Sequence, residues 1–165
     1  VVFDAIDQSL GFHGNAVLVR KATKINVSAK ISLPGLEPRG AVLTELTFNS
    51  RKIRIVATHL GLMRRYRIAQ LETIRQFLAS MDDIPTLILG DFNEWSKDKG
   101  LEPLQKDFEI HAPGLSFHAA RPVAALDRIA ASSDLNLIDA GVCQSKAAQK
   151  ASDHLPVWAD FTHAL

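Results

Sequence analysis

Residues 86–93 read Thr-Leu-Ile-Leu-Gly-Asp-Phe-Asn, an apolar run followed directly by glycine and polar residues. Its first half, residues 86–89, carries no charge and predicts a short, fully apolar strand. Gly90, Asp91 and Asn93 come at the end of that strand, where a rigid element delivers side chains to the rim of a sheet. We therefore expect a buried strand with polar groups collected at its carboxyl end.

The clearest helix signal lies just before this strand. In residues 64–80 apolar side chains recur at steps of three and four, with polar side chains on the other face. Upstream, the runs 41–48 and 52–60 are rich in Val, Ile, Leu and Thr and predict a β-hairpin. One long helix therefore connects two strands.

The rest of the chain predicts short strands and loops. Because strands outnumber helices, the predicted class is α/β (α+β), with helices covering a mixed sheet. Further strands are predicted at residues 14–20, 126–131, 137–142 and 155–161. Residues 22–40 are predicted to be a loop or an irregular edge segment, and most of 96–118 is predicted to be loop.

The composition is that of one globular domain. The 165 residues are 47% hydrophobic and 22% charged, with 19 Lys and Arg against 18 Asp and Glu. The resulting net charge of +1 excludes a strongly basic nucleic-acid coat protein and a disordered acidic chain. The single cysteine excludes an intramolecular disulfide framework and is compatible with the cytoplasm, which we favour. No apolar run reaches the about 18 residues of a membrane span, so no transmembrane segment is expected.

Acids, amides and histidines occur where predicted strands begin or end. Each of them alone is typical of an ordinary turn or of the end of a strand. A sheet can nevertheless bring distant strand ends together at one edge, and functional residues collect there. The candidates are His59, Asp91, Asn93, Asp127, Asp153 and His154.

Four motifs occur in a fixed order: Thr58-His59-Leu60, Gly90-Asp91-Phe92-Asn93, Leu126-Asp127-Arg128-Ile129 and Ser152-Asp153-His154-Leu155-Pro156. This order resembles the endonuclease/exonuclease/phosphatase superfamily, the DNase I-like metal-dependent phosphoesterases, in its bacterial phosphatase-like branch. The resemblance extends from Gly14 to Phe161. It implies part of a DNase I-like four-layer α/β sandwich, with a mixed, mostly antiparallel sheet and a helix packed on one face.

The resemblance also implies roles for these residues. Asp91 would align or deprotonate the attacking water, and Asn93 would orient Asp91 and donate its amide to a phosphoryl oxygen. His154 would face the phosphate as a cation or donor, or act as a partner base, with Asp127 fixing its tautomer and raising its basicity. His59 would act across the phosphate as a donor or as the acid for the leaving group.

Metal and substrate contacts follow from the same resemblance. Asp153 would lie at or just behind a divalent-metal site that suits Mg²⁺, with Mn²⁺ as a substitute. Asn15, Arg64 and Arg65 are the candidate substrate-binding residues, although the two arginines are equally typical of a solvated helix face.

One part of the family pattern is missing. The family normally begins with a strand that carries an Asn, then a helix, then a strand ending in Gln-Glu, whose Glu is the main metal ligand. None of the six glutamates stands in such a position. We therefore interpret residues 1–165 as a single partial domain, the C-terminal portion of the family fold without its N-terminal strands. Without those strands, a sheet face or strand edges that they would cover are exposed, and we expect this surface to promote self-association.

These observations predict a divalent-metal-dependent phosphoesterase that hydrolyses phosphodiesters or phosphomonoesters. A lipid-like or other small phosphate ester is the favoured substrate. A DNA or RNA endonuclease or exonuclease is the first alternative, because the same chemistry acts on nucleic acid. A catalytically inactive fragment is the second alternative, because the metal-binding Glu is absent.

Overall fold

The computed structural model describes residues 11–97 and 99–164. Within them, β1–β6 form one sheet in the order β1-β2-β3-β4-β6-β5, and β7 and β8 form a second, two-stranded sheet. All neighbouring strands are antiparallel except β3 and β4, which are parallel. The elements are β1 (Lys24–Leu33), β2 (Arg39–Phe48), β3 (Arg51–His59), α1 (Arg64–Ala79), β4 (Thr86–Asp91), β5 (Phe108–His111), β6 (Asp127–Ser132), β7 (Leu135–Val142), α2 (Ala148–Ala151) and β8 (Val157–His163).

The large sheet is covered on both faces. On one face, Leu71 and Ile74 of α1 are fully buried against a cluster that includes Ile88 of β4. On the other face, Leu87 of β4 belongs to a cluster against which Phe161 of β8 packs. Because Leu87 and Ile88 face opposite ways, β4 is buried on both sides, as its apolar sequence predicts. The predicted class, a mixed and mostly antiparallel sheet with a helix on one face, is confirmed.

The predicted hairpin and long helix are also confirmed. Asn49 and Ser50 join β2 to β3 with φ angles of 48° and 62°, the left-handed pair that a tight type I′ hairpin requires. The helix α1 begins at Arg64, as predicted, and ends one residue earlier than predicted. No helix in the part of the chain that the structure describes is long and apolar enough to cross a membrane.

Near the amino end, one prediction is wrong and one is refined. Residues 14–20 contain no strand: Val17 is buried, but Leu18 is 88% exposed. The strand that pairs with the outer edge of β2 is β1, an edge strand within the segment predicted as a loop or irregular edge segment. Apolar and polar residues alternate over residues 25–33, but most of the side chains of β1 are exposed, and only Ile31 and Leu33 near its end are buried. Its ladder of backbone hydrogen bonds to β2 holds it in place.

The loop-rich segment 96–118 also needs a correction. Residues 108–111 form β5, an edge strand that pairs with β6. With four residues it is too short for its alternation to be recognised from the sequence.

Candidate active site

Three strand ends lie side by side in the large sheet. His59 at the end of β3 is in register with Asp91 at the end of β4, and Asp91 is in register with Asp127 at the start of β6. The parallel pairing of β3 with β4 and the antiparallel pairing of β4 with β6 bring all three to the same edge. The His59 Nε2 atom lies 3.3 Å from Asp91 Oδ2.

His154 completes this row from outside the large sheet. It precedes β8 and forms an isolated bridge with Phe117. Its Nδ1–H donates to Asp127 Oδ2 at 2.8 Å, and its Nε2 lies 3.6 Å from Asp91 Oδ2. The Ser116 hydroxyl, which is fully buried, donates to the same Asp127 oxygen. A single carboxylate oxygen of Asp91 therefore lies between two imidazole rings, and one of those rings is held by a second carboxylate.

Asn93 orients Asp91 through its backbone. Its main-chain N–H donates to Asp91 Oδ1 at 2.7 Å, and its φ of 51° turns the chain sharply after the strand. Its side-chain amide donates to the carbonyl oxygen of Leu60 at 2.9 Å. The structure thus places the Asn93 amide in a bond between two loops. Its predicted donation to a phosphoryl oxygen stays a prediction.

The pKa values of His59 and His154 are shifted in opposite directions. Burial and the nearby Arg39 lower the pKa of His59, against the opposing effect of Asp91. Burial also disfavours the charged form of His154, but the hydrogen bond and charge of Asp127, with Asp91, raise its pKa above the ordinary value of 6.5. Groups with diverging pKa values in one site are suited to different acid–base roles.

The predicted substrate-binding residues lie outside this row. The buried Asn15 amide donates to the carbonyl oxygens of Phe12 and Gly40, which ties the preceding turn to β2. Arg64 is bound by the Glu94 carboxylate, while Arg65 is exposed and stacks over the Tyr66 ring. Their contacts with substrate stay predictions.

Sequence reasoning missed Glu94 as a site component. This carboxylate is fully buried directly after Asn93. Burial alone would raise the pKa of Glu94, but hydrogen bonds from Arg64 and Arg67 outweigh it and lower the pKa to about 2. The only sequence signal is adjacency to the Gly-Asp-Phe-Asn motif.

The donor set for a metal ion is incomplete in the described residues. Among residues 11–97 and 99–164, no group of three or more His, Cys, Asp or Glu side chains is arranged so that it could hold a metal ion. Asp153 is exposed, and its carboxylate accepts a hydrogen bond from Ser152 at 3.3 Å. Asp91 and Asp127 already accept hydrogen bonds from protein donors. These side chains do not by themselves fit Mg²⁺ or Mn²⁺, which prefer several oxygen ligands.

The mixed, mostly antiparallel sheet with its helix is the fold of the DNase I-like class of proteins. The model of the Endonuclease/Exonuclease/phosphatase family matches residues 5–154, and the chain belongs to this family. The resemblance carried by the four motifs is thereby confirmed.

One sequence relative and two solved structures illustrate the similarity. YbhP of Escherichia coli (strain K12) is 31% identical over 130 residues, which are 72% of this chain and 51% of YbhP, so the chain spans about half the length of the curated relatives it matches. A mannosyl-6-phosphatase of Bacteroides thetaiotaomicron superposes with a TM-score of 0.73 at 14% identity, over 85% of this chain and 67% of that one. Danio rerio TDP2 complexed with a single-strand DNA product superposes with a TM-score of 0.69 at 16% identity, over 85% and 68%. At these identities the two structures show the fold alone.

Proposed function

We propose that the protein hydrolyses phosphate esters, phosphodiesters or phosphomonoesters, at the row formed by His59, Asp91, Asp127 and His154. The observation that carries the proposal is the position of Asp91 Oδ2, 3.3 Å and 3.6 Å from the Nε2 atoms of two histidines. A phosphoester is anionic, so its hydrolysis needs a base for water and donors for the charge on the phosphoryl oxygens.

Asp91 is the base of the proposed reaction. The backbone N–H of Asn93 holds its Oδ1 at 2.7 Å, which leaves Oδ2 directed between the two imidazoles. A water molecule at this oxygen would be aligned for attack on phosphorus and would transfer its proton to the carboxylate. Fixing one carboxylate oxygen restricts the direction from which the water approaches.

His154 and His59 have different roles in the proposed reaction. Since Asp127 raises the pKa of His154, this ring keeps its proton to a higher pH than an ordinary imidazole and can stabilise negative charge on a phosphoryl oxygen. Since burial and Arg39 lower the pKa of His59, a protonated His59 is the stronger acid and is suited to protonating the leaving oxygen.

The metal requirement is a separate part of the proposal. We propose Mg²⁺, replaceable by Mn²⁺, because the family resemblance implies it. The described residues do not supply three metal ligands, and no step above is assigned to the metal. Calorimetry with Mg²⁺ on this 165-residue chain tests whether it binds the ion at all. Tight binding with turnover would contradict the alternative of an inactive fragment.

A small or lipid-like ester is the favoured substrate class. A net charge of +1 gives little general attraction for the phosphates of a long nucleic acid, whose binding rests on many Lys and Arg contacts. A nuclease remains the second candidate, because Trp95 is 62% exposed and lies edge-on to Phe117 beside His154. Nucleic-acid bases stack on exposed aromatic rings of this kind.

The deciding experiment compares substrates. Release of p-nitrophenol from bis(p-nitrophenyl) phosphate, hydrolysis of a phospholipid and phosphomonoester panel, and nicking of supercoiled plasmid are measured with Mg²⁺ for the protein, Asp91→Asn and the exposed control Asp160→Asn. We expect hydrolysis of small esters that Asp91→Asn abolishes and Asp160→Asn retains. Cleavage of plasmid alone would reject the small-ester substrate, and full activity of Asp91→Asn would reject the site.

A further inference from the structure

A carboxylate that the proposed chemistry does not use is buried directly behind the site. Glu94 has no exposed surface, and a Cβ at Gly100 would collide with its Oε2 atom, so the following loop closes over the carboxylate. Burying an ionised carboxylate is unfavourable unless charged or polar donors surround it. The partners of Glu94 therefore show why the charge is tolerated there.

Those partners come mainly from the start of helix α1. Arg67 Nη2 donates to Glu94 Oε2 at 2.7 Å, and Arg64 donates to both oxygens, from Nη2 at 2.7 Å and from Nε at 3.0 Å. The Ser96 backbone N–H adds a donor at 2.9 Å. Both carboxylate oxygens are thus saturated by the protein, and Arg67 is itself buried.

Arg67 also contacts the loop that follows β3. Its Nη1 donates to the carbonyl oxygens of Gly61 at 3.2 Å and Leu62 at 2.6 Å. One guanidinium therefore joins the loop after His59 to the loop after Asp91. Lysine could not do the same, because an ammonium is a point donor without a rigid fork.

Two further bonds run between the same loops. The Leu60 backbone N–H donates to the Asp91 carbonyl oxygen at 2.9 Å, and the Asn93 side-chain amide donates to the Leu60 carbonyl oxygen at 2.9 Å. His59 and Asp91, the residues that these loops follow, face each other at 3.3 Å. The contacts of Glu94 with Arg64 and Arg67 join the same two loops and thereby stabilise both backbones.

We propose that Glu94, Arg67 and Arg64 are positioning residues that fix the separation of His59 and Asp91 by bracing the loops after β3 and β4. This inference rests on the proposed function, since it names what holds that site in its reactive geometry. It also changes the expectation for Arg64, whose guanidinium is engaged by Glu94 rather than directed at a phosphate.

The test uses Glu94→Gln and Arg67→Lys with Glu45→Gln as the matched control. Glu45 also forms a buried ion pair, with Arg54 at 2.7 Å, but it lies mid-sheet, away from the strand ends that carry the site. The measurements are kcat and KM for bis(p-nitrophenyl) phosphate and the NMR signals of the His59 ring, assigned with His59→Gln. All are taken at a temperature where each variant is folded by circular dichroism.

We expect Glu94→Gln and Arg67→Lys to lower kcat about 10- to 100-fold with KM changed less than about 2-fold, as a small misplacement of reacting groups does. Both should shift the His59 ring signals, whereas Glu45→Gln should change neither kcat nor those signals. Unchanged kcat and unchanged His59 signals in both variants, or equal changes in Glu45→Gln, would overturn the positioning role. Absence of hydrolysis by the unmodified protein would reject the proposed function instead, while the NMR shifts would still test the brace.

Discussion

Replacing Asp127 by Asn removes one negative charge from the candidate site and changes its shape little. The Asp127 carboxylate accepts the His154 Nδ1–H at 2.8 Å, and both side chains are mostly buried. Asparagine retains an oxygen that can accept this bond but removes the negative charge. A hydrogen bond to a charged group contributes about 1.5–3 kcal/mol and a neutral one about 0.5–1.5 kcal/mol, so the charge accounts for about 1–1.5 kcal/mol. If this contribution is realised in the transition state, its loss lowers kcat/KM about 5- to 13-fold.

The pH dependence of the same variant has a definite sign. Asp127 raises the pKa of His154, whereas burial lowers it, so Asp127→Asn should move this pKa downwards. If protonated His154 is the active form, the high-pH limb of the rate profile shifts to lower pH. The folded pKa lies above the ordinary value of 6.5, so the stability from the charged pair is complete below that pH. It is lost as the pH rises through the folded pKa.

Three measurements check this reasoning, with Asp160→Asn as a chemically matched control on the exposed side of β8. They are the pH profile of kcat/KM, the NMR titration of His154, and urea unfolding at pH 6 and pH 9. The stability difference between the protein and Asp127→Asn should be larger at pH 6. An unchanged His154 titration in Asp127→Asn would refute the assigned coupling, whatever the rate does.

The remaining predictions concern the metal, the substrate, the core and assembly. EDTA should abolish ester hydrolysis and Mg²⁺ should restore it; activity that survives exhaustive chelation would contradict the metal requirement. Arg65→Gln should raise KM with little change in kcat if this exposed residue meets the substrate, and an unchanged KM would leave it a solvated helix residue. Leu43→Ala, at a fully buried position, should lower the free energy of unfolding by about 2–5 kcal/mol in urea titrations, and a loss under about 1 kcal/mol would contradict its place in the core. Sedimentation should show concentration-dependent association, since Ile138 and Trp158 of the small sheet are exposed, and a monomer at all concentrations would contradict it.

The catalytic candidates could be predicted because strand ends are readable from sequence. The apolar run of β4 ends at Leu89, two residues before the strand ends at Asp91, and the run that contains β3 ends one residue after His59. His59 and Asp91 could therefore be assigned to a rim. Their 3.3 Å separation could not be predicted, since it depends on the register between strands joined by a whole helix. Long-range pairing of this kind leaves no local pattern in the sequence.

The errors concern segments whose side chains do not reveal their pairing or burial. Apolar and polar residues alternate over residues 25–33, but most side chains of β1 stay in water and Pro34 and Gly35 follow directly, so the segment 22–40 as a whole resembles a loop. The apolar run 16–19 indicates a strand, but residues 16–19 lie outside the strands that the structure describes, and the edge of β2 is paired with β1. Glu94 shows the same limit for charges, since nothing in its sequence context distinguishes a fully buried carboxylate from an exposed one.

Helix α1 explains why a site can form at this edge. A short turn between β3 and β4 would make them antiparallel and would place His59 and Asp91 at opposite ends of the sheet, about 20 Å apart for a six-residue strand. The crossover through α1 makes the two strands parallel and brings both ends to one edge. The same helix supplies Arg67, which bonds both loops that follow those strands. The element that creates the juxtaposition of His59 and Asp91 therefore also provides the contacts that hold it.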